Sequence, residues 1–255
     1  MEVFLNPDAW IALLTLTFLE IVLGIDNIIF ISIATGKLPE EKRKRATKIG
    51  MFLAMFMRIA LLFGINLLIQ MKEPWFHIDL SWFSAKITGQ SIILLLGGLF
   101  LIYKSTNEIR EKVEEKGQEE KEIKKSATKS FRNVIFQIIL IDMVFSFDSI
   151  LTAVGMTNGV EGAIYIMITA VIISVFIMMQ FAVPVGNFVN KHPSIQVLGL
   201  AFLILIGMML LTERAHLADA LIFGNHVTPI PKGYLYFAIS FSLVIEMLNM
   251  KMTKK

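Results

Sequence analysis

Cysteine is absent from all 255 residues, which excludes disulfides, thiolate metal sites and redox dithiols. Any bound metal has to be held by oxygen, imidazole or thioether donors. Charge is scarce as well: 18% of residues are charged, against about 25% in a soluble domain, which argues against a water-soluble enzyme. The 24 basic and 21 acidic side chains leave a net charge of +3, and the basic ones gather in short loops, so nucleic acid is not an expected partner. A basic leader is missing too. The opening residues carry Glu2 and Asp8, which argues against a cleaved signal peptide and keeps the first apolar run in the mature protein. No phosphate-binding loop of the GxxxxGK type occurs, so ATP hydrolysis within the chain is not expected.

What is abundant is apolar: 55% of residues are hydrophobic. Seven runs are long enough to cross a bilayer, roughly 9 to 35, 47 to 71, 87 to 103, 134 to 155, 162 to 182, 195 to 212 and 233 to 250. All seven are read as helices, because an open sheet edge cannot face lipid. Basic clusters at 37 to 48, 104 to 132, Lys191 and 251 to 255 follow the first, third, fifth and seventh runs. The positive-inside rule then puts the N-terminus outside and the C-terminus in the cytoplasm. The polar stretch from Lys104 to Asn133 mixes both signs and reads as a cytoplasmic connector, helical or disordered, with a regulatory surface as the alternative. Residues 75 to 86, WFHIDLSWFSAK, read as an interfacial segment on the outer face, with His77 and Asp79 solvated.

Two runs carry acids where acids are least expected. The first reads EIVLGIDNIIF from Glu20 and the fourth DMVFSFDSILT from Asp142; a shift of about 122 positions aligns Glu20 with Asp142, Asp26 with Asp148, Asn27 with Ser149 and Thr35 with Thr157. Because an odd number of crossings separates them, the copies are inverted. The predicted fold class is therefore all-α: a polytopic membrane protein of seven transmembrane helices, two inverted three-helix repeats plus a seventh helix. The predicted division is 1–107 for the first repeat, 108–133 for the linker, 134–214 for the second repeat and 215–255 for an outer loop and the last span.

Antiparallel helices bring Glu20 to about the depth of Asp148 and Asp26 to that of Asp142, each about 4 to 5 Å from the midplane. Six positions turn a regular helix by about 240°, so the two acids of one span share a face only if it unwinds between them, and Gly24 and Ser146 are the expected places for a break. An unpaired acid at the bilayer centre costs about 2.5 to 3.5 kcal/mol, so four need a compensator. Glu20, Asp26, Asp142 and Asp148, with Asn27 and Ser149, are expected to form an oxygen-only metal site suited to manganese, magnesium or calcium, the alternative being acids that are protonated or hydrogen-bonded and merely join helices. Proton exchange fits equally well. Arg58, mid-way along the second run, is expected to pair with one acid when no metal is bound, as functional counter-ion or as structural ion pair. Ser146 and Gln180, the latter aligned with Arg58, are auxiliary candidates; Glu213 and Glu246, at span ends, rank below them as vestibule acids.

The paired motifs EIVLGIDNIIFISI and DMVFSFDSILTAVG, with RIALL, LGGLFLIYKSTNEI and IPKGYLYFAISFSLVIEMLN, resemble the TerC family of integral membrane proteins over most of the chain. The resemblance implies a metal exporter, chiefly of manganese, within a superfamily that includes the lysine exporters. It also implies that Glu20, Asp26, Asp142 and Asp148 stand at the family's acidic motif positions, and that supplying manganese to proteins crossing the membrane is a role of some members. The expected function is a secondary transporter of the plasma membrane that moves manganese outward, coupled to protons, with divalent metal and lipid as its partners. Two rivals stay open: an assembly or stress-response factor with a membrane or secretion-machinery partner, and an intramembrane aspartyl-type hydrolase, for which the GxGD setting is missing.

Overall fold

The computed structural model describes residues 6–116, 130–157, 159–160 and 162–253. Within these helices the side chains of residues 25, 26, 115, 116, 148 and 253 lie outside the description. Seven helices are long and apolar enough to cross a membrane: α1 Pro7–Gly36, α2 Glu40–Phe63, α4 Gly89–Lys116, α5 Phe131–Met156, α6 Ala163–Lys191, α7 Pro193–Leu217 and α8 Lys232–Thr253, with a short α3 at Ile65–Gln70 between the second and third spans.

Their ends follow local chemistry. Asn6 caps α1 by accepting the Asp8 amide at 3.0 Å, and Pro7 and Pro193 open α1 and α7, where a missing N–H costs nothing. Glu40 and Glu41 sit in the first turn of α2, on the favourable side of its dipole. The second apolar run, expected to continue to residue 71, stops instead at Phe63, where Gly64 ends α2. At the other extreme α4 runs past the apolar stretch into the charged segment as far as Lys116, supported by i,i+4 pairs from Lys104 to Glu108 and Arg110 to Glu114. Residues 117–129 of the expected linker lie outside the described residues.

The chain forms two compact units. One holds α1, α2, α5 and α6, in which α1 packs on α6 and α2 on α5, while α1 also meets α5 and α2 also meets α6. The other holds α4, α7 and α8, with α4 against α7 and α8 against α7. Each unit thus draws helices from both halves of the chain. Lipid offers no hydrophobic drive between helices, so close backbone approach matters. In the α4–α7 pair a Cβ on Gly98 would stand 2.8 Å from the Gly207 carbonyl oxygen, and one on Gly207 would stand 2.9 Å from that of Gly98; only glycine permits this reciprocal contact.

The second unit also contains a four-stranded antiparallel sheet in the order β1-β2-β3-β4, formed by Pro74–Leu80, Phe83–Thr88, Leu221–Ile222 and Asn225–His226. The register sets Ile78 opposite Ala85 and Leu80 opposite Phe83 on one face, and His77 opposite Lys86 and Asp79 opposite Ser84 on the other. His77 and Asp79 are exposed. Asp219 is held below the usual carboxylate range by the hydrogen bond from Lys86 Nζ at 2.9 Å and by that ammonium's charge. The sheet adds to the helices a strand element that the sequence did not reveal.

Candidate functional site

The first unit gathers the candidate residues from three helices. On α1, Glu20, Gly24 and Asn27 are spaced by four and three positions, and Asp142, Ser146 and Ser149 on α5 repeat that spacing, so each trio shares a helix face. Glu20, Asn27, Asp142, Ser146, Ser149 and Arg58 of α2 are all buried. At 1.5 Å per residue Glu20 stands about 20 Å along α1 and Asp142 about 17 Å along α5, deep within a hydrocarbon layer about 30 Å thick.

Arg58 joins the two acids. Its Nη1 donates to Glu20 Oε2 at 2.5 Å, its Nη2 to Asp142 Oδ1 at 2.6 Å and its Nε to Asp142 Oδ2 at 3.2 Å. The guanidinium fork therefore grips Asp142 in two places and Glu20 in a third, a planar match that lysine cannot make. Asp142 also accepts from Ser146 Oγ at 3.1 Å and from Asn27 Nδ2 at 3.4 Å. Ser149 donates instead to the Ser146 carbonyl oxygen at 3.3 Å. The side chains of Arg58, Glu20 and Asp142 are only 4%, 9% and 6% exposed. One guanidinium thus faces two carboxylates in a cluster almost closed to solvent.

Beside this cluster lies a cavity of about 10 Å³, about the room of one water molecule. Asn27, Arg58, Asp142, Met51 and Met178 line it. A second cavity, of about 260 Å³, opens between the start of α1 and the end of α5, with Asp8, Thr15 and Thr157 among its walls.

Several expectations meet different outcomes. Arg58 pairs with both acids where one was expected, because its mid-span position on α2 faces the cleft between α1 and α5. The break foreseen at Gly24 and Ser146 does not occur: α1 and α5 run unbroken through both. Gly24 instead leaves the space that the Met178 sulfur fills, and Ser146 spends its hydroxyl on Asp142. Gln180 is exposed on α6 and takes no part in the cluster. Glu213, half-buried near the end of α7, and Glu246, half-buried in α8, belong to the second unit. The side chains of Asp26 and Asp148 lie outside the described residues. Among the described residues no three acidic or imidazole side chains converge on a metal position. Met178 and the Asp8–Thr157 cavity were not singled out in the sequence; only Thr157, aligned with Thr35 in the repeat, gave any signal there.

Residues 5–255 match the model of the "Integral membrane protein TerC family". The chain is 46% identical over 250 residues to the UPF0053 inner membrane protein YgdQ of Escherichia coli K12, covering 98% of this chain and 96% of that one. It is 44% identical over 249 residues to a UPF0053 protein of Haemophilus influenzae, again covering 98% and 96%. The E. coli UPF0053 inner membrane protein YoaE is 42% identical over 250 residues, which are 98% of this chain but 44% of that longer protein. No solved structure matches. With seven apolar spans and a family match along nearly its whole length, the chain belongs to the TerC family and is a multi-pass integral protein of the cell membrane.

Proposed function

We propose that the chain is a transporter that exports a divalent metal ion, manganese above other hard divalents, from a mid-membrane site built on Glu20 and Asp142, with Asp26 and Asp148 of the same motifs as further ligands. The observation that carries this reading is the clamp of Arg58 between two buried carboxylates in the middle of their spans. A buried acid pair held by a tethered cation is a site for exchangeable positive charge. Arg58 offers one charge to two carboxylates; a divalent ion matches both and releases the arginine. Asn27 and Ser146, which bond Asp142, supply further oxygens of the kind hard ions prefer.

Alternating exposure fits an inverted repeat. Exchanging α1 with α5, α2 with α6 and α4 with α7 maps the α1–α6 and α2–α5 pairings onto each other and leaves α4–α7 as itself. The aligned residues Thr35 and Thr157 also behave alike, each donating its hydroxyl to the carbonyl four residues earlier, at 2.8 Å and 2.9 Å. Both regularities support the repeat. The Asp8–Thr15–Thr157 cavity lies at the outer end of α1 if the N-terminus is outside, where an exit vestibule is needed. Protons are the natural coupling ion, because carboxylates that lose a divalent guest and keep one arginine retain a surplus negative charge.

The test is manganese tolerance in a sensitive host. Glu20→Gln, Asp26→Asn, Asp142→Asn and Asp148→Asn are each expected to abolish the tolerance that the native chain confers, at equal membrane abundance. Full tolerance in these variants would remove the mechanism, and a stable co-purifying membrane partner without metal movement would favour an assembly factor instead.

A further inference from the structure

We propose that the Met178 thioether is the specificity-determining donor of the metal site, selecting transition-metal divalents such as manganese against magnesium and calcium; this rests on the metal-transport reading above. Met178 lies on α6, is 4% exposed and lines the same small cavity as Asn27, Asp142 and Arg58. Its sulfur occupies the space that a Cβ on residue 24 would take. Gly24 stands between Glu20 and Asn27 on one face of α1, so the missing side chain brings the sulfur against the stretch of helix that presents both ligands. Any larger residue at 24 would push it away. Met51 of α2 lines the cavity too, but only the sulfur of Met178 is fixed by this slot.

The chemistry follows from donor softness. Every other polar group at the cavity is an oxygen, an amide or the guanidinium, a set that magnesium and calcium satisfy as well as manganese does. A neutral thioether is a poor partner for those two, which keep all-oxygen shells, and a better one for d-block ions. Replacing one oxygen or water ligand by sulfur therefore penalises magnesium and calcium more than manganese, and favours a softer ion such as cadmium. Filling a gap in the helix packing, the ordinary use of a buried methionine, needs the shape of the side chain but not its sulfur. Leucine retains much of that shape and removes the donor.

The purified protein in liposomes, and the same protein in detergent with bound manganese read by electron paramagnetic resonance, separates these uses. Manganese uptake or binding is measured against graded magnesium, calcium and cadmium. The native chain is expected to resist magnesium and calcium and to yield to cadmium. In Met178→Leu, manganese binds more weakly, and the magnesium needed for half-inhibition, relative to manganese affinity, falls, while the advantage of cadmium shrinks. Met55→Leu, buried on α2 outside the cavity, behaves as the native chain. Unchanged ion ratios in Met178→Leu, by flux or by binding, overturn the inference and leave the transport reading intact. A native chain that neither binds nor moves any divalent ion overturns both.

Discussion

Arg58 concentrates the energetics of the site. Three charged groups with a combined exposure this low persist only because each answers another: the guanidinium spends its Nε, Nη1 and Nη2 donors on Glu20 and Asp142, and Asp142 takes two more bonds from Ser146 and Asn27. Removing one member of such a buried ion cluster costs about 3 to 5 kcal/mol, because its partners stay behind uncompensated. Arg58→Ala is therefore expected to lower the thermal midpoint of the detergent-solubilised protein sharply. Manganese should then raise that midpoint more in the variant than in the native chain, since the ion replaces the lost charge without having to displace it. An equal or smaller metal-induced shift in Arg58→Ala would show that the carboxylates do not receive the ion. The pairing of acid with arginine was partly legible in the sequence, because a mid-span arginine has no route to water. That one arginine would hold both Glu20 and Asp142 was not, since it depends on how α2 is rotated. The use of Gly24 as a slot for sulfur was also hidden: a glycine in an apolar run reads equally as a hinge, and only the neighbouring helix decides.

Among the helices, close packing depends on a few contacts where a side chain cannot be added. Gly98→Leu forces new atoms into the Gly207 backbone, and overpacking of this kind costs about 1 to 3 kcal/mol. Gly155 on α5 is the contrast. Nothing stands within 4 Å of a Cβ added there, so Gly155→Ala should be neutral or stabilising by up to about 1 kcal/mol. Thermal unfolding of the two variants checks both; equal midpoints would deny that the α4–α7 pair relies on backbone approach. The spans themselves were legible because an unbroken apolar run of membrane length has few other solutions. Their ends were less so, for opposite reasons: α4 continues through charged residues that favour helix in water, whereas the second run is cut by Gly64 although its neighbours stay apolar. The sheet escaped notice because Trp75 and Phe76 put aromatics on both faces and all of β1 is exposed, which erases the alternation that marks a half-buried strand.

Across the full chain, α1, α2 and α5 bring Glu20, Arg58 and Asp142 together, and the orientation of the spans decides which side of the membrane each end of that cluster faces. Cysteine is absent, so single cysteines report sidedness without background. Asp79→Cys is expected to react with an impermeant maleimide in intact cells, and Lys255→Cys only after permeabilisation; the reverse pattern would invert the topology and place the Asp8 cavity on the cytoplasmic side. Composition made the membrane class legible, because seven long apolar runs have few other solutions. The grouping of α1, α2, α5 and α6 in one unit and α4, α7 and α8 in another was not, because helices far apart in sequence pair in space. The most direct measurement is manganese flux by the purified protein in liposomes, with and without an imposed proton gradient, for the native chain and Asp142→Asn. Flux that the gradient accelerates and that vanishes in Asp142→Asn is the predicted result; native protein that moves no manganese under either condition would contradict the account.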